Sequence, residues 1–153
     1  MKVTPMLSSI LSQSMTSAKE LKHQFFTPEH ILATALKDEF VEKLLEKSGA
    51  NLKQLNTSLF VYLNKEVPKV NAEAAEIIKE PVESAGFQRV MNKAVFNCIA
   101  CESDVLDITD VLISMFDESN NHCSFFLKTA GVQRVSLLEN ITSHSGITQK
   151  CIF

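Results

Sequence analysis

The sequence has 153 residues, 45% hydrophobic and 22% charged, with a formal net charge of -3 and no tryptophan. That length suits one domain with a sizeable core, and the apolar share excludes wholesale disorder. Four glycines and four prolines are about half the usual share of each, which disfavours a many-turned sandwich or barrel, and the mildly acidic balance argues against a dedicated nucleic-acid binder.

In chain order, Leu7, Leu11, Met15 and Ala18 step at helical spacing and predict a first helix, ended by a polar break at Lys22 to Gln24. Thr27 as N-cap, Pro28 at the first helical position and Glu29 at the positive end of the dipole then mark a strong helix start. Ile31, Leu32, Ala35 and Leu36 form its buried stripe, and Phe40, Val41, Leu44 and Leu45 form the next, stopped at Gly49. Asn51 caps a fourth helix with Leu52, Leu55, Leu59 and Tyr62 on one face. Asn64 to Gly86, with Pro68 and Pro81, reads as a linker with one helical turn at most. Helical spacing resumes at Phe87, Val90, Met91, Ala94, Val95 and Cys98. Asp107 and Asp110 make a capping-box-like pair before Val111, Leu112, Met115 and Phe116. Cys123, Phe126 and Leu127 lead to Gly131, Val135, Leu138 and Ile141 make a last helix, and 146–153 is a tail.

The second half repeats the first. Thr27, Ile31, Leu32 and Leu36 fall on Asp107, Val111, Leu112 and Phe116 at an offset of 80, and Leu45 and Gly49 fall on Leu127 and Gly131 at 82. The expected fold is all-α: one domain over 1–145, with a repeat over about 1–63, a linker over 64–86 and a second repeat over about 87–145. Four helices in each copy cannot bury their apolar faces alone, so the copies pack as an eight-helix bundle about a pseudo-twofold axis.

No run approaches the roughly 18 apolar residues of a membrane helix. Met1 to Met15 is too broken by serines for a signal peptide, and four cysteines are too few and irregular for a secreted disulfide framework. A cytoplasmic location is expected. Gly49, Gly86, Gly131 and Gly146 are isolated, so no phosphate-binding loop can form. Cys98 and Cys101 have the spacing of a redox or metal pair, but Cys98 continues an apolar stripe, so buried structural thiols are the plainer reading. No histidine has a partner at the spacing a catalytic zinc requires. His30, near a helix start, reads as a capping or packing residue. Glu29, beside Phe25-Phe26, reads either as a dipole-stabilising residue or as an exposed anionic contact beside an apolar patch.

The run His23-Gln-Phe-Phe-Thr-Pro-Glu-His30-Ile-Leu resembles the aromatic-x-Thr-x-Glu-His-Leu-Leu motif of the N-terminal domain of the Clp family of AAA+ unfoldases. Phe87-Gln-Arg-Val to Ala-Val-Phe96 and the closing Ile-x-Ser-His of Ile141 to His144 are similar to the ClpA type. The resemblance covers about Leu7 to Ser145 and implies a binding module on a hexameric ATPase. It implies docking of protein substrates and of a ClpS-type adaptor, with the ClpP protease reached through the parent hexamer. The adaptor-binding residues it implies are Glu29, Gln24, Ser84 and Arg89, although Gln24 stands where the family carries an acidic residue and Pro81 to Gly86 departs from the family's usual second-repeat approach. Neither nucleic acid nor membrane is an expected partner. No catalytic residue, metal or cofactor is expected in this chain, ATP belonging to the parent's other modules. The chain is expected to be either a fragment of such an unfoldase or a stand-alone relative. The alternatives are a general unfolded-protein-binding N-domain of the ClpB or ClpC type, and a stand-alone thiol or zinc protein using Cys98, Cys101 and His122.

Overall fold

The computed structural model describes residues 1–71, 73, 77 and 80–145, so the expected 146–153 tail lies outside the described residues. Two-residue strands alternate with helices: β1 (Lys2–Val3), α1 (Pro5–Glu20), β2 (Phe25–Phe26), α2 (Pro28–Ala35), α3 (Glu39–Lys47) and α4 (Leu52–Lys65). The same order follows in β3 (Val82–Glu83), α5 (Ala85–Ala100), β4 (Val105–Leu106), α6 (Ile108–Asp117), α7 (His122–Thr129) and α8 (Arg134–Ser145). The fold is therefore the all-α eight-helix bundle that the repeat predicts. The repeat also reaches further upstream than the apolar stripes reveal, because β1, Thr4 and α1 fall on β3, Ser84 and α5 at the same offset of 80.

The caps explain the helix boundaries. Thr4 and Ser84 accept from the backbone N–H groups of Leu7 and Phe87, and Asn51 accepts from that of Gln54. Thr27 with His30, and Asp107 with Asp110, close reciprocal capping boxes. The helix ends are Schellman turns: His23 N–H donates to Ala18 C=O and Ser103 N–H to Cys98 C=O, and likewise Ala50 to Leu45 and Val132 to Leu127. The left-handed residue in these turns is Gly49 (φ 106°), Gly131 (φ 103°), Lys22 (φ 58°) or Glu102 (φ 56°).

Each two-stranded sheet takes one strand from each repeat. β1 pairs parallel with β4, Lys2 opposite Val105, and β2 pairs parallel with β3, Phe25 opposite Val82. The helices interdigitate in the same way, α3 packing on α8 and α7 on α4. At the centre the two glycine turns touch: a Cβ on Gly49 would lie 2.5 Å from the Gly131 carbonyl oxygen, and one on Gly131 would lie 2.7 Å from that of Gly49. Asn51 N–H to Ala130 C=O (2.8 Å) and Gln133 N–H to Ser48 C=O (3.1 Å) are related by the pseudo-twofold. α2 and α6 lie innermost, with Ile31, Leu32, Ile108, Val111, Leu112 and Met115 fully buried, as helices apolar almost all round must be.

Three expectations are corrected. The α1 stripe is Leu7, Ile10, Ser14 and Ala18, with Leu11 and Met15 only partly buried. On α8 the core positions are Leu137 and Ile141, while Val135 is 68% exposed. The segment read as linker holds the end of α4, all of β3 and the first two residues of α5. A sheet of two residues per strand is too short for an alternating pattern, so β1 to β4 left no trace in the periodicity.

Candidate docking surface

Phe26, Thr27 and Pro28 turn the chain from β2 into α2, and Thr27 N–H donates to His30 Nδ1 at 3.0 Å. That nitrogen is therefore unprotonated, so the His30 proton sits on Nε2, which lies 2.7 Å from His23 Nδ1. Both rings are buried, and burial followed by the neighbouring His23 pushes the His30 pKa down to about 4. Burial, then Lys69, also lowers that of His23. The sequence reading of His30 as a capping or packing residue holds, and the pair forms a neutral, buried floor under the β2–α2 turn.

Glu29 is the main correction. An exposed carboxylate was one reading of the sequence, yet the residue is 2% exposed. Its Oε1 accepts the backbone N–H of His122, the first residue of α7, at 2.9 Å. Glu29 thus satisfies an orphan N–H and faces the positive end of α7, joining the two repeats. Asn121 completes that helix start, accepting from Ser124 N–H and donating to Met115 C=O and Glu118 C=O. Over this corner lie the rings of Tyr62, His122 and Phe126, with Tyr62 and His122 centroids 4.6 Å apart. Burial, then Glu29, raises the pKa of both Tyr62 and Cys123, so the Cys123 thiol stays protonated and inert. The aromatic group escapes sequence reasoning because its members sit 60 residues apart and meet only through the α4–α7 exchange.

The other three candidate residues lie along the β2–β3 pairing and the start of α5. Gln24 N–H donates to Pro68 C=O, and its own carbonyl accepts from Val82 N–H at 2.9 Å. Ser84 N–H donates to Phe26 C=O at 3.0 Å, and its hydroxyl caps α5. Gln24 and Ser84 therefore sit at opposite ends of the β2–β3 pairing. One turn into α5, the exposed Arg89 reaches back with Nη2 3.4 Å from the Asn120 carbonyl, just before Asn121 and His122. Arg89 thus presents a cation beside the α7 start that buried Glu29 holds, with Ser84 one turn before it and Gln24 at the far end of the strand pairing.

Cys98 is buried in the α5 stripe with its thiol toward Val105 C=O at 3.7 Å, as a structural thiol would be. Among the described residues no group of three or more His, Cys, Asp or Glu side chains could hold a metal ion, so the zinc alternative finds no ligand set there. No helix among the described residues is long and apolar enough to cross a membrane.

Comparison with known proteins fits this geometry. The chain is 22% identical over 144 residues to a "ClpA homolog protein" of Fuscovulum blasticum, a match covering 92% of this chain but 18% of that relative's length. The Hsp104 N-terminal domain of Candida albicans superposes with a TM-score of 0.80 at 16% identity, over 98% of this chain and 95% of that one. The N-terminal domain of the ClpV1 ATPase from E. coli EAEC Sci1 gives 0.72 at 14% identity, over 97% and 88%. The sequence model of the Clp repeat (R) N-terminal domain matches residues 2–130, and the chain belongs to that family.

Proposed function

We propose that this chain is the docking domain of a ClpA-type AAA+ unfoldase, taking up a ClpS-type adaptor and protein substrates in the cytoplasm for a ClpP-type protease. In this reading ATP is consumed by other modules of the parent, and the domain contributes binding alone. What supports it is that the β2–β3 pairing joins the Gln24 segment of the first repeat to the segment of the second that carries Ser84 and Arg89, and that Arg89 reaches the α7 approach held by Glu29. Arg89 supplies the charged contact. Glu29 acts as a positioning residue, holding the α7 start against which Arg89 rests.

Titration calorimetry with a ClpS-type adaptor tests this. Arg89→Glu is expected to weaken binding by about tenfold or more, the effect of losing one charged contact worth about 1.4 kcal/mol. Glu29→Ala should weaken it as well and destabilise the fold by about 2 kcal/mol, because His122 N–H loses its acceptor in a buried site. Glu29→Gln, which keeps an oxygen acceptor, should restore most of both. No adaptor binding by the unaltered chain would contradict the adaptor reading.

A general substrate-binding role has its own support in a groove of about 490 Å³ between α1, α2 and α4. Leu21, Ala33, Leu59, Phe60 and Leu63 line it, and Phe60 is 69% exposed. Binding of an unfolded casein-type chain, lost in Phe60→Ser, with no adaptor binding, would favour that role instead.

A further inference from the structure

The pseudo-twofold gives this chain two copies of one strand edge, and among the described residues only one of them is covered. At the first copy, Lys22 ends the α1 Schellman turn with φ 58° and its carbonyl points out of the turn. The segment Pro68 to Val70 lies along it antiparallel: Gln24 N–H donates to Pro68 C=O (2.8 Å) and Val70 N–H donates to Lys22 C=O (2.8 Å). His23 pairs with Lys69 across that bridge. The segment therefore acts as a third strand beside β2 and β3.

At the second copy, Glu102 stands in place of Lys22 with φ 56°, and the same hydrogen bonds close the α5 turn. Asp104 C=O accepts from Lys2 N–H at 2.7 Å, as Gln24 C=O accepts from Val82 N–H. The outward Asp104 N–H and Glu102 C=O, counterparts of the groups that Pro68 and Val70 satisfy, have no hydrogen-bond partner among the described residues. Beside them Val105 is 38% and Val3 45% exposed. An open edge with unpaired donor and acceptor is a template for another strand.

The two copies differ in charge. Lys22 and Gln24 border the covered edge, whereas exposed Glu102 and Asp104 border the open one, with Lys2 on the far, β1 side. An occupant with lysine or arginine complements that edge, and an acidic one is repelled. We propose that the β4 edge from Glu102 to Asp104 docks an extended, basic segment of a partner protein, taken up antiparallel as a third strand beside β1 and β4. The partner donates one N–H to Glu102 C=O and, two residues earlier in its own sequence, accepts from Asp104 N–H. This edge is built from β1 and β4, not from the β2–β3 corner, so the inference stands independently of the adaptor reading.

The probe is the capped pentapeptide Val-Pro-Lys-Val-Asn, the sequence of residues 67–71, titrated into the ¹⁵N-labelled whole chain, with Val-Pro-Glu-Val-Asn as its control. The lysine peptide should shift the amides of Glu102 to Leu106 and slow hydrogen exchange at Asp104, and the glutamate peptide should do neither. In the doubly substituted Glu102→Lys, Asp104→Lys chain, confirmed folded by circular dichroism, the preference should reverse. Shifts confined to Lys22 to Gln24, or none, would overturn the proposal. So would an Asp104 amide already protected in the free chain.

Discussion

Histidine at the third position of α2 is an unusual partner in a capping box, and it makes the fold sensitive to acid. His30 takes the Thr27 N–H on its unprotonated Nδ1 and gives its Nε2 proton to His23. Protonating Nδ1 would break the cap and place charge in a buried site. Its folded pKa of about 4 lies below the ordinary 6.5, so the unfolded chain binds the proton first as pH falls. Stability attributable to His30 is whole above pH 6.5 and is lost between pH 6.5 and 4, by about 3 kcal/mol in all. Urea unfolding from pH 7.5 to 4.5 should show that fall. His30→Gln, which can still cap but does not titrate, should flatten the slope; an unchanged slope would mean other groups cause it.

Glu29 shows where reading single residues stops. Its place at a helix start, next to two phenylalanines, was legible, and its identity as a motif residue was too. What the sequence could not disclose is that α7 comes down upon it from the other repeat, 93 residues away. A carboxylate near a helix N-terminus looks the same in one dimension whether it serves its own helix or another.

At the scale of elements, the helices were legible because their caps and stops are local. Thr27-Pro28, Asn51, Asp107 and the two glycine stops each state a boundary in two or three residues. Lys22 and Glu102 end helices in the same left-handed turn as Gly49 and Gly131, but a charged residue there carries no such signal, so those ends showed only as polar breaks. The glycine turns also carry a second demand, since each lies against the other's carbonyl. Gly131→Ala should therefore cost about 3 kcal/mol or more, combining left-handed strain with a backbone clash. Glu102→Gly, by contrast, should stabilise by up to about 1 kcal/mol, because it relieves left-handed strain at an exposed position. Chemical denaturation of the two variants would check both signs, and changes of equal size and opposite sign would show that φ alone governs these turns.

At the scale of the whole molecule, duplication explains why the proposed docking surface draws on both repeats. Each parallel strand pair draws on both repeats, and the third helix of each repeat packs on the fourth helix of the other. The eight-helix architecture followed from the constant offset, while the exchange of partners did not, because an offset relates positions in sequence and says nothing of which copy each one touches. The exchange pairs the Gln24 segment of the first repeat with the segment leading to Ser84 and Arg89 in the second, and sets Glu29 under α7. The two copies have also diverged, in the acidic edge at Glu102 to Asp104, which carries no third strand among the described residues, and in the ring cluster of Tyr62, His122 and Phe126.

The central claim is that this two-repeat corner docks an adaptor, and mapping the bound adaptor onto the chain tests it most directly. In a titration of the ¹⁵N-labelled chain with unlabelled ClpS-type adaptor, the account predicts amide shifts at Gln24, Ser84 and Arg89 and along Asn120 to His122. Shifts centred on Phe60 and the α1–α2–α4 groove, or no shifts at saturating adaptor, would contradict it.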